Sequence, residues 1–408
     1  MKIALLHYSS PPIVGGVESV MAHHARLMTK AGHEVTIFAG RGKAFDEHIP
    51  VRVLPRLDSR HTEVIRVKGY LDIGKYTAGF DNLCDQIKME LLTELQGFDL
   101  LIAHNVASLH KNLPLTAALY QTYQTPGFPR LVLWHHDLAW TTLRYRSEMH
   151  DGYPWNLLRS KWEGATHVTI SKMRRLELSD LLGIAPESIR VIPNGVDMHT
   201  FFKLEPYTVQ FVEQLKLDQA DPLFLLPVRL TPRKNIELAL RILAKVRIEF
   251  PKAMLLVTGP EGPHSSTNAA YKRKLLHLRR ELDLQGAVHF LAEVTTEFIP
   301  DTVIADFYRL ADALIFPSRE EGFGIPIIEA AFSSIPVFCA DIPVLRELGG
   351  EDVSYFDPHA EPGFIAKQIA DRLESEATSR WARRAKHGYA WDSIYRLHID
   401  PLILEVIR

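Results

Sequence analysis

Apolar residues recur along this chain in short blocks set between amphipathic stretches, the rhythm of buried strands with covering helices. Lys2–His7 is the first block, and residues 17–30 follow with helical spacing. Val17, Val20, Met21, Leu27 and Met28 are the apolar positions of that helix, Gly32 closes it, and Glu34–Ala39 returns as a second strand. Strand, glycine-bearing loop, helix and strand make a βαβ unit, which implies a parallel sheet covered by helices. Further strands are predicted at 99–104, Arg130–His135, 167–171 and 188–193, with helical segments between them. Residues 1–195 thus read as one doubly wound domain.

The rhythm then restarts. Strands are predicted at 223–228, 253–258, 288–291, 313–317 and 336–339. Helices are predicted at 235–249, 271–282, 304–311 and 327–333, which defines a second α/β domain over 196–390. Residues 391–408 carry a last helical segment, expected to return to the first domain. The fold class is α/β, with two Rossmann-like doubly wound domains. In such sheets ligands gather beyond the carboxyl ends of the strands, so the loops there are where chemistry is sought.

Composition narrows the function classes. The chain has 408 residues, 46% hydrophobic and 24% charged, as expected of a globular protein with large cores. A net charge of -2 gives no electrostatic case for nucleic acid or a polybasic membrane anchor. The basic stretch Tyr271-Lys-Arg-Lys with Arg279 and Arg280 reads as a solvated helix face. Only Cys84 and Cys339 occur, far apart, so no disulfide framework is implied and a reducing cytoplasm is the expected home. No apolar run is long enough to span a bilayer, and the start breaks at His7 and Ser9 without a signal-peptide cleavage site.

The segment Ser318-Arg-Glu-Glu-Gly-Phe-Gly-Ile-Pro-Ile-Ile-Glu329 carries the most chemistry. Glu321 and Glu329 flank a Gly-x-Gly-x-Pro turn that follows an apolar strand. Glycine lets backbone amides approach a ligand, and a helix opening near Pro326 would aim its free N–H groups at an anion. Carboxylates accept hydrogen bonds from hydroxyls, so a glutamate can hold a sugar while amides and cations hold phosphate. The competing reading is a helix start with incidental acids, which are favourable there anyway.

With seven residues between its glutamates, Glu-Gly-Phe-Gly-x-Pro-x-x-Glu resembles the signature of the family-4 retaining glycosyltransferases. The resemblance spans nearly the whole chain and is strongest over residues 229–347 and the first 40. It implies the GT-B architecture, two Rossmann-like domains facing across a cleft, and transfer of a hexose from a nucleoside diphosphate sugar. The leading donors are UDP-glucose and GDP-mannose, and the acceptor is a small-molecule or glycan hydroxyl.

Further positions match the family residue by residue. Arg229 and Lys234, in Val-Arg-Leu-Thr-Pro-Arg-Lys-Asn, resemble the pair that stabilises the departing diphosphate, with Arg233 as a competitor for the lysine role. A guanidinium fork and an ammonium suit that task, although basic loop residues are usually just solvated. Gly15 and Gly16 resemble the loop that approaches the diphosphate; the dinucleotide pattern Gly-x-Gly-x-x-Gly is absent, which weakens a nicotinamide reading. His136, in Leu133-Trp-His-His-Asp-Leu138, resembles the histidine that contacts the donor hexose, with His135 as runner-up; an isolated histidine more often satisfies local hydrogen bonds. The resemblance places Glu321 on the hexose, Glu329 on the ribose, and the backbone of Gly322, Phe323, Gly324 and Ile325 alongside.

Gly259 opens Thr258-Gly-Pro-Glu-Gly262, which departs from the family's small glycine loop and leaves base recognition unassigned. Asn194, in Pro-Asn-Gly-Val-Asp, is first a turn residue at the domain junction and second an acceptor contact. Asp137, Trp134, His135, Trp140, Arg144, Tyr145 and Arg146 are acceptor-side candidates, and the arginines point to an anionic acceptor. No Asp-x-Asp triplet occurs, so the cations and helix N-termini are expected to replace a metal, with no cofactor needed. No residue stands out as a covalent nucleophile, so retention would proceed on one face of the sugar. A sugar-nucleotide epimerase, a phosphorylase or a non-catalytic nucleotide-sugar binder shares many of these features and remains open here, as do peripheral membrane contact and oligomeric state.

Overall fold

The computed structural model describes residues 1–260 and 266–408. The chain divides into two units, Met1–Gly195 with Ile394–Arg408, and Val196–Ser393.

The first unit is built on seven parallel strands: β1 (Lys2–His7), β2 (Glu34–Ala39), β3 (Val51–Val53), β4 (Leu100–His104), β5 (Arg130–His135), β6 (Thr166–Thr169) and β7 (Ile189–Val191). Their order is β3-β2-β1-β4-β5-β6-β7. Ile3 to Leu6 and Leu100 to Ile102 have no exposed surface, as befits strands buried on both faces. The helices Ala78–Glu94 and Leu113–Thr122 cover one face through Phe80, Leu83, Ile87, Leu115 and Leu119. Each such side chain contributes about 1.5–3 kcal/mol of burial.

The second unit holds six parallel strands: β8 (Leu223–Leu226), β9 (Met254–Val257), β10 (Val288–Phe290), β11 (Ala313–Phe316), β12 (Val337–Ala340) and β13 (Ser354–Phe356), ordered β10-β9-β8-β11-β12-β13. The order reverses between β1 and β4 in one sheet and between β8 and β11 in the other. At such a reversal the loops after neighbouring strands diverge and leave a crevice for a ligand. The loops after β8 and β11 carry Arg229, Lys234 and Glu321.

Several boundaries differ from the sequence expectation for local reasons. The strand expected to run to residue 171 ends at Thr169, because Ser171 caps the helix Lys172–Leu182 by accepting from the Arg174 amide. The helix expected from 235 starts at Ile236, since Asn235 lies in the left-handed region at φ 51°. β3 and β13, three residues each, are not among the strands expected from the sequence. The tail is not one continuous α-helix: a π-turn at Tyr395–Ile399 separates Trp391–Ile394 from Asp400–Ile407. The division between units falls inside this segment, at Ile394 rather than at 391. Cys84 and Cys339 are both buried free thiols. Among the described residues no helix is long and apolar enough to cross a membrane.

Candidate functional site

In the second unit the loops after β8, β9, β10 and β11 surround a cavity of about 720 Å³. Arg229, Gly259, Ile325 and Glu329 line it, together with Leu291 and the 295–299 segment. The loops that make this wall are forced close together. A Cβ on Gly259 would sit 2.1 Å from the Val228 carbonyl oxygen and 2.5 Å from the Arg229 amide nitrogen. Only glycine fits against that backbone, which explains the residue without any ligand.

Lys234, on the loop after β8, and Glu321, on the loop after β11, meet. Lys234 Nζ donates to Glu321 Oε1 at 2.5 Å, with side chains only 11% and 8% exposed. The two loops are tied together by Asn235, whose Oδ1 accepts from Arg319 Nη2 at 2.9 Å, and by the Arg319 amide, which donates to the Arg233 carbonyl at 2.9 Å. A lysine charge this sheltered needs a partner. Glu321 fills that role here, and a bound phosphate would compete with it. Arg229 and Arg233 are both exposed, and their guanidinium groups are held by no bond among the described residues.

Glu329 lies on the helix Ile325–Phe332, whose start is set by Gly324 at φ 105°. That angle explains glycine there, and so does the space: a Cβ at this position would come within 2.6 Å of Leu345 Cδ2. Glu329 Oε2 accepts from the Tyr308 hydroxyl at 2.7 Å; Tyr308 is almost fully buried, and its phenol is pushed well above its ordinary pKa by burial and then by this carboxylate. Phe323 and Ile325 are exposed. Three polar atoms around the two loops, Ser318 Oγ, Thr231 Oγ1 and Asn235 Nδ2, are buried with no hydrogen-bond partner among the described residues. Such atoms occur in both units and do not by themselves mark a ligand site.

In the first unit, Gly15 lies against the Glu18 carboxylate, which accepts from Ser9 Oγ at 2.5 Å, while Gly16 is exposed at the start of the helix Gly16–Lys30. His136 is 6% exposed; its Nε2 lies 3.1 Å from His104 Nδ1, and its amide donates to Asn105 Oδ1 at 2.8 Å. The Asp137 amide donates to the same oxygen at 3.2 Å. Burial, then neighbouring His7, lowers the His136 pKa to about 3. His135 is buried against His167, with 3.0 Å between Nε2 and Nδ1.

The acceptor-side candidates separate. Trp134 is fully buried against His24 and His104, so its expected place in a pocket lining is corrected: it is core. Trp140 donates Nε1 to the Trp155 carbonyl and carries the Arg159 guanidinium over its ring at 4.1 Å. Arg144 and Asn194 are exposed, Arg144 lying 4.7 Å from the Tyr145 ring centroid.

A cluster of Asp72, His110 and Glu148 has donor atoms close enough to hold a cation. The Lys68 ammonium already sits among them, 2.7 Å from both Asp72 oxygens and 2.8 Å from Glu148 Oε2. It holds the Glu148 carboxyl down to about 2. Lysine thus supplies the charge a metal would supply.

Sequence reasoning misses Tyr308, the 291–299 segment, His7 and His104. Tyr308 lies mid-helix without a motif, and the 291–299 loop acquires its role only when β10 is placed beside β9. Glu261 and Gly262, weighed for base recognition, lie outside the described residues.

Comparison with known proteins completes the assignment. Residues 210–388 match the family described as glycosyl transferases group 1, and residues 14–200 match glycosyltransferase family 4. Mannosylglucosylglycerate synthase of Petrotoga mobilis is 28% identical, over 98% of this chain and 94% of its own. MMP alpha-(1->4)-mannosyltransferase of Mycolicibacterium hassiacum is 26% identical over 97% and 96%. D-inositol 3-phosphate glycosyltransferase of Kineococcus radiotolerans is 32% identical over 53% and 52%. The chain belongs to the GT-B glycosyltransferases of family-4 type. It is a glycosyltransferase.

Proposed function

We propose that the protein is a retaining hexosyltransferase that uses a nucleoside diphosphate hexose and delivers the sugar to a small anionic acceptor. The observation that carries this reading is the sheltered Lys234–Glu321 pair, on the loops after β8 and β11, together with the cavity that Arg229 and Glu329 line. Arg229 and Lys234 take the charge that builds on the diphosphate as the glycosidic bond breaks. Glu321, released from Lys234 by the incoming phosphate, accepts from hexose hydroxyls, and Glu329, held by Tyr308, accepts from ribose. His136 is assigned to the hexose and the Gly15–Gly16 loop to the diphosphate. Retention follows if the departing phosphate takes the acceptor's proton on the same face of the sugar.

GDP-mannose is the first donor to try, because two of the relatives are named for mannosyl transfer. An anionic acceptor draws support from relatives whose names carry glycerate and inositol phosphate, and from exposed Arg144 and Arg146 in this chain. The test is an array of donors against carboxylated and phosphorylated acceptors, read by mass spectrometry. Release of free nucleoside diphosphate only when an acceptor is present is expected. Phosphate-dependent turnover, or epimerised donor, would replace this reading by a phosphorylase or an epimerase.

Because side-chain cations take the metal's role, turnover is expected to keep most of its rate in EDTA. Loss of activity on chelation with rescue by magnesium or manganese would contradict that. The assay needs only the intact chain and the active donor–acceptor pair.

A further inference from the structure

His7 and His104, which end β1 and β4, meet His136, one residue past β5, at the carboxyl end of the first sheet, and their hydrogen bonds determine where each proton sits. His7 Nδ1 lies 2.8 Å from the His104 carbonyl oxygen, which only accepts. Nδ1 of His7 therefore carries the proton and Nε2 the lone pair. Between His104 Nδ1 and His136 Nε2, 3.1 Å apart, one nitrogen donates and the other accepts. The far nitrogen of His104 decides which. It is fully buried, with no hydrogen-bond partner among the described residues. A proton there would be an orphaned donor, which protein interiors tolerate less well than an orphaned lone pair.

The His104 proton is thus on Nδ1 and is donated to His136 Nε2. His136 must then carry its own proton on Nδ1. Neither His136 Nδ1 nor His7 Nε2 is among the buried unpartnered atoms, and neither bonds to a described residue, so both keep access to a ligand. The groups that face this chain are His24 packed on His104, Tyr8 packed on His7, and Glu18, whose charge acts on His7. Burial outweighs Glu18 and holds all three imidazoles neutral near pH 7.

We propose that His104 is a positioning residue that locks His136 with its Nδ1–H outward, and that His136 and His7 present a neutral donor and a neutral acceptor to sugar hydroxyls. A hydroxyl both donates and accepts, so this pairing suits a sugar and discriminates against a bare phosphate. The sugar contact rests on the reading of His136 given above; the proton arrangement does not. The lock also opposes the Nε2–H form that free histidine favours in water, which is why a dedicated partner is needed.

The test is a long-range proton–nitrogen correlation spectrum of the full chain labelled with nitrogen-15 at histidine, at pH 7.5. Signals are assigned through His136→Asn and His7→Asn. Both residues are expected in the Nδ1–H form. An Nε2–H His136, or one exchanging between forms, overturns the lock. His104→Phe should release His136 from the Nδ1–H form and lower kcat/KM about tenfold, the worth of a hydrogen bond or slightly more. His104→Asn, whose amide N–H falls near the Nδ1 position, should restore both. If His104→Phe does not fold, the wild-type spectrum and His104→Asn still decide. An Nδ1–H form in the wild type with unchanged kcat/KM in His104→Phe would overturn the sugar contact. Failure of the transferase reading itself would show separately, as absence of glycosylated product.

Discussion

Glu321→Gln is expected to lower kcat more than tenfold while free nucleoside diphosphate binds at least as tightly as in the wild type. Glu329→Gln is expected to do the reverse, weakening free diphosphate about tenfold or more. The two glutamates share a motif but differ in their surroundings. Glu329 is held by a buried tyrosine hydroxyl and lines the cavity directly. In the proposed reading its hydrogen bonds to ribose would involve a charged acceptor, worth about 1.5–3 kcal/mol, and would be made by the diphosphate as well as by the donor. Glu321 instead pairs with Lys234, and in the proposed reading the diphosphate competes for that lysine. Removing its charge would free the lysine for diphosphate and leave the hexose only a weaker, neutral acceptor.

The same substitution leaves a nearly buried ammonium facing a neutral amide. Breaking a buried pair outright costs about 3–5 kcal/mol, and a glutamine that still accepts a hydrogen bond lessens that. Glu321→Gln should therefore melt lower than the wild type without ligand, and nucleoside diphosphate should raise its Tm by more. Calorimetry with the diphosphate, beside steady-state rates, measures both arms. Equal loss of diphosphate affinity in the two variants, with folding intact, would remove the separate hexose role of Glu321.

Acid is expected to destabilise the first unit steeply, beginning near pH 6.5. His7, His24, His104, His135, His136 and His167 are all buried there. Burial is the largest cause lowering each pKa, to about 3 for His24 and His136 and about 4 for His167. Their folded-state values lie below the unfolded value, so below pH 6.5 the unfolded chain binds more protons and stability falls with pH. This contribution is intact above about pH 6.5 and is lost progressively down to the folded-state values. Each neutral histidine loses up to about 1.4 kcal/mol per pH unit, so by pH 5.5 the five most strongly lowered, His24, His104, His135, His136 and His167, together approach the whole stability of a domain. Glu148 titrates far lower and does not mask the effect in this window. Thermal melts between pH 7.5 and 5 check it, and a flat Tm down to pH 5.5 would contradict it.

Much of the fold is legible because parallel strands buried on both faces leave unbroken apolar blocks, as in Leu223–Leu226 and Ala313–Phe316. Short edge strands such as Val51–Val53 leave no such mark. Of the site, the residues whose types already imply chemistry stand out: two glutamates, an arginine and a lysine at fixed offsets, and a histidine ending a strand. What cannot be read is pairing. That Lys234 and Glu321 hold each other depends on β8 and β11 being neighbours, 87 residues apart in their contacting side chains. The histidine chain likewise depends on β1, β4 and β5 lying side by side. Trp134 shows the opposite error: beside two histidines it reads as pocket lining, but on a central strand covered on both faces it is fully buried.

The claim that this chain is a retaining transferase is tested most directly by the anomeric configuration of its product. GDP-mannose, and in parallel UDP-glucose, would be supplied with the acceptor that responds in the array, and the new glycosidic bond followed by proton NMR from the first turnover. The account predicts an α-linked product from the α-configured donor, appearing in step with nucleoside diphosphate. A β-linked first product would contradict it.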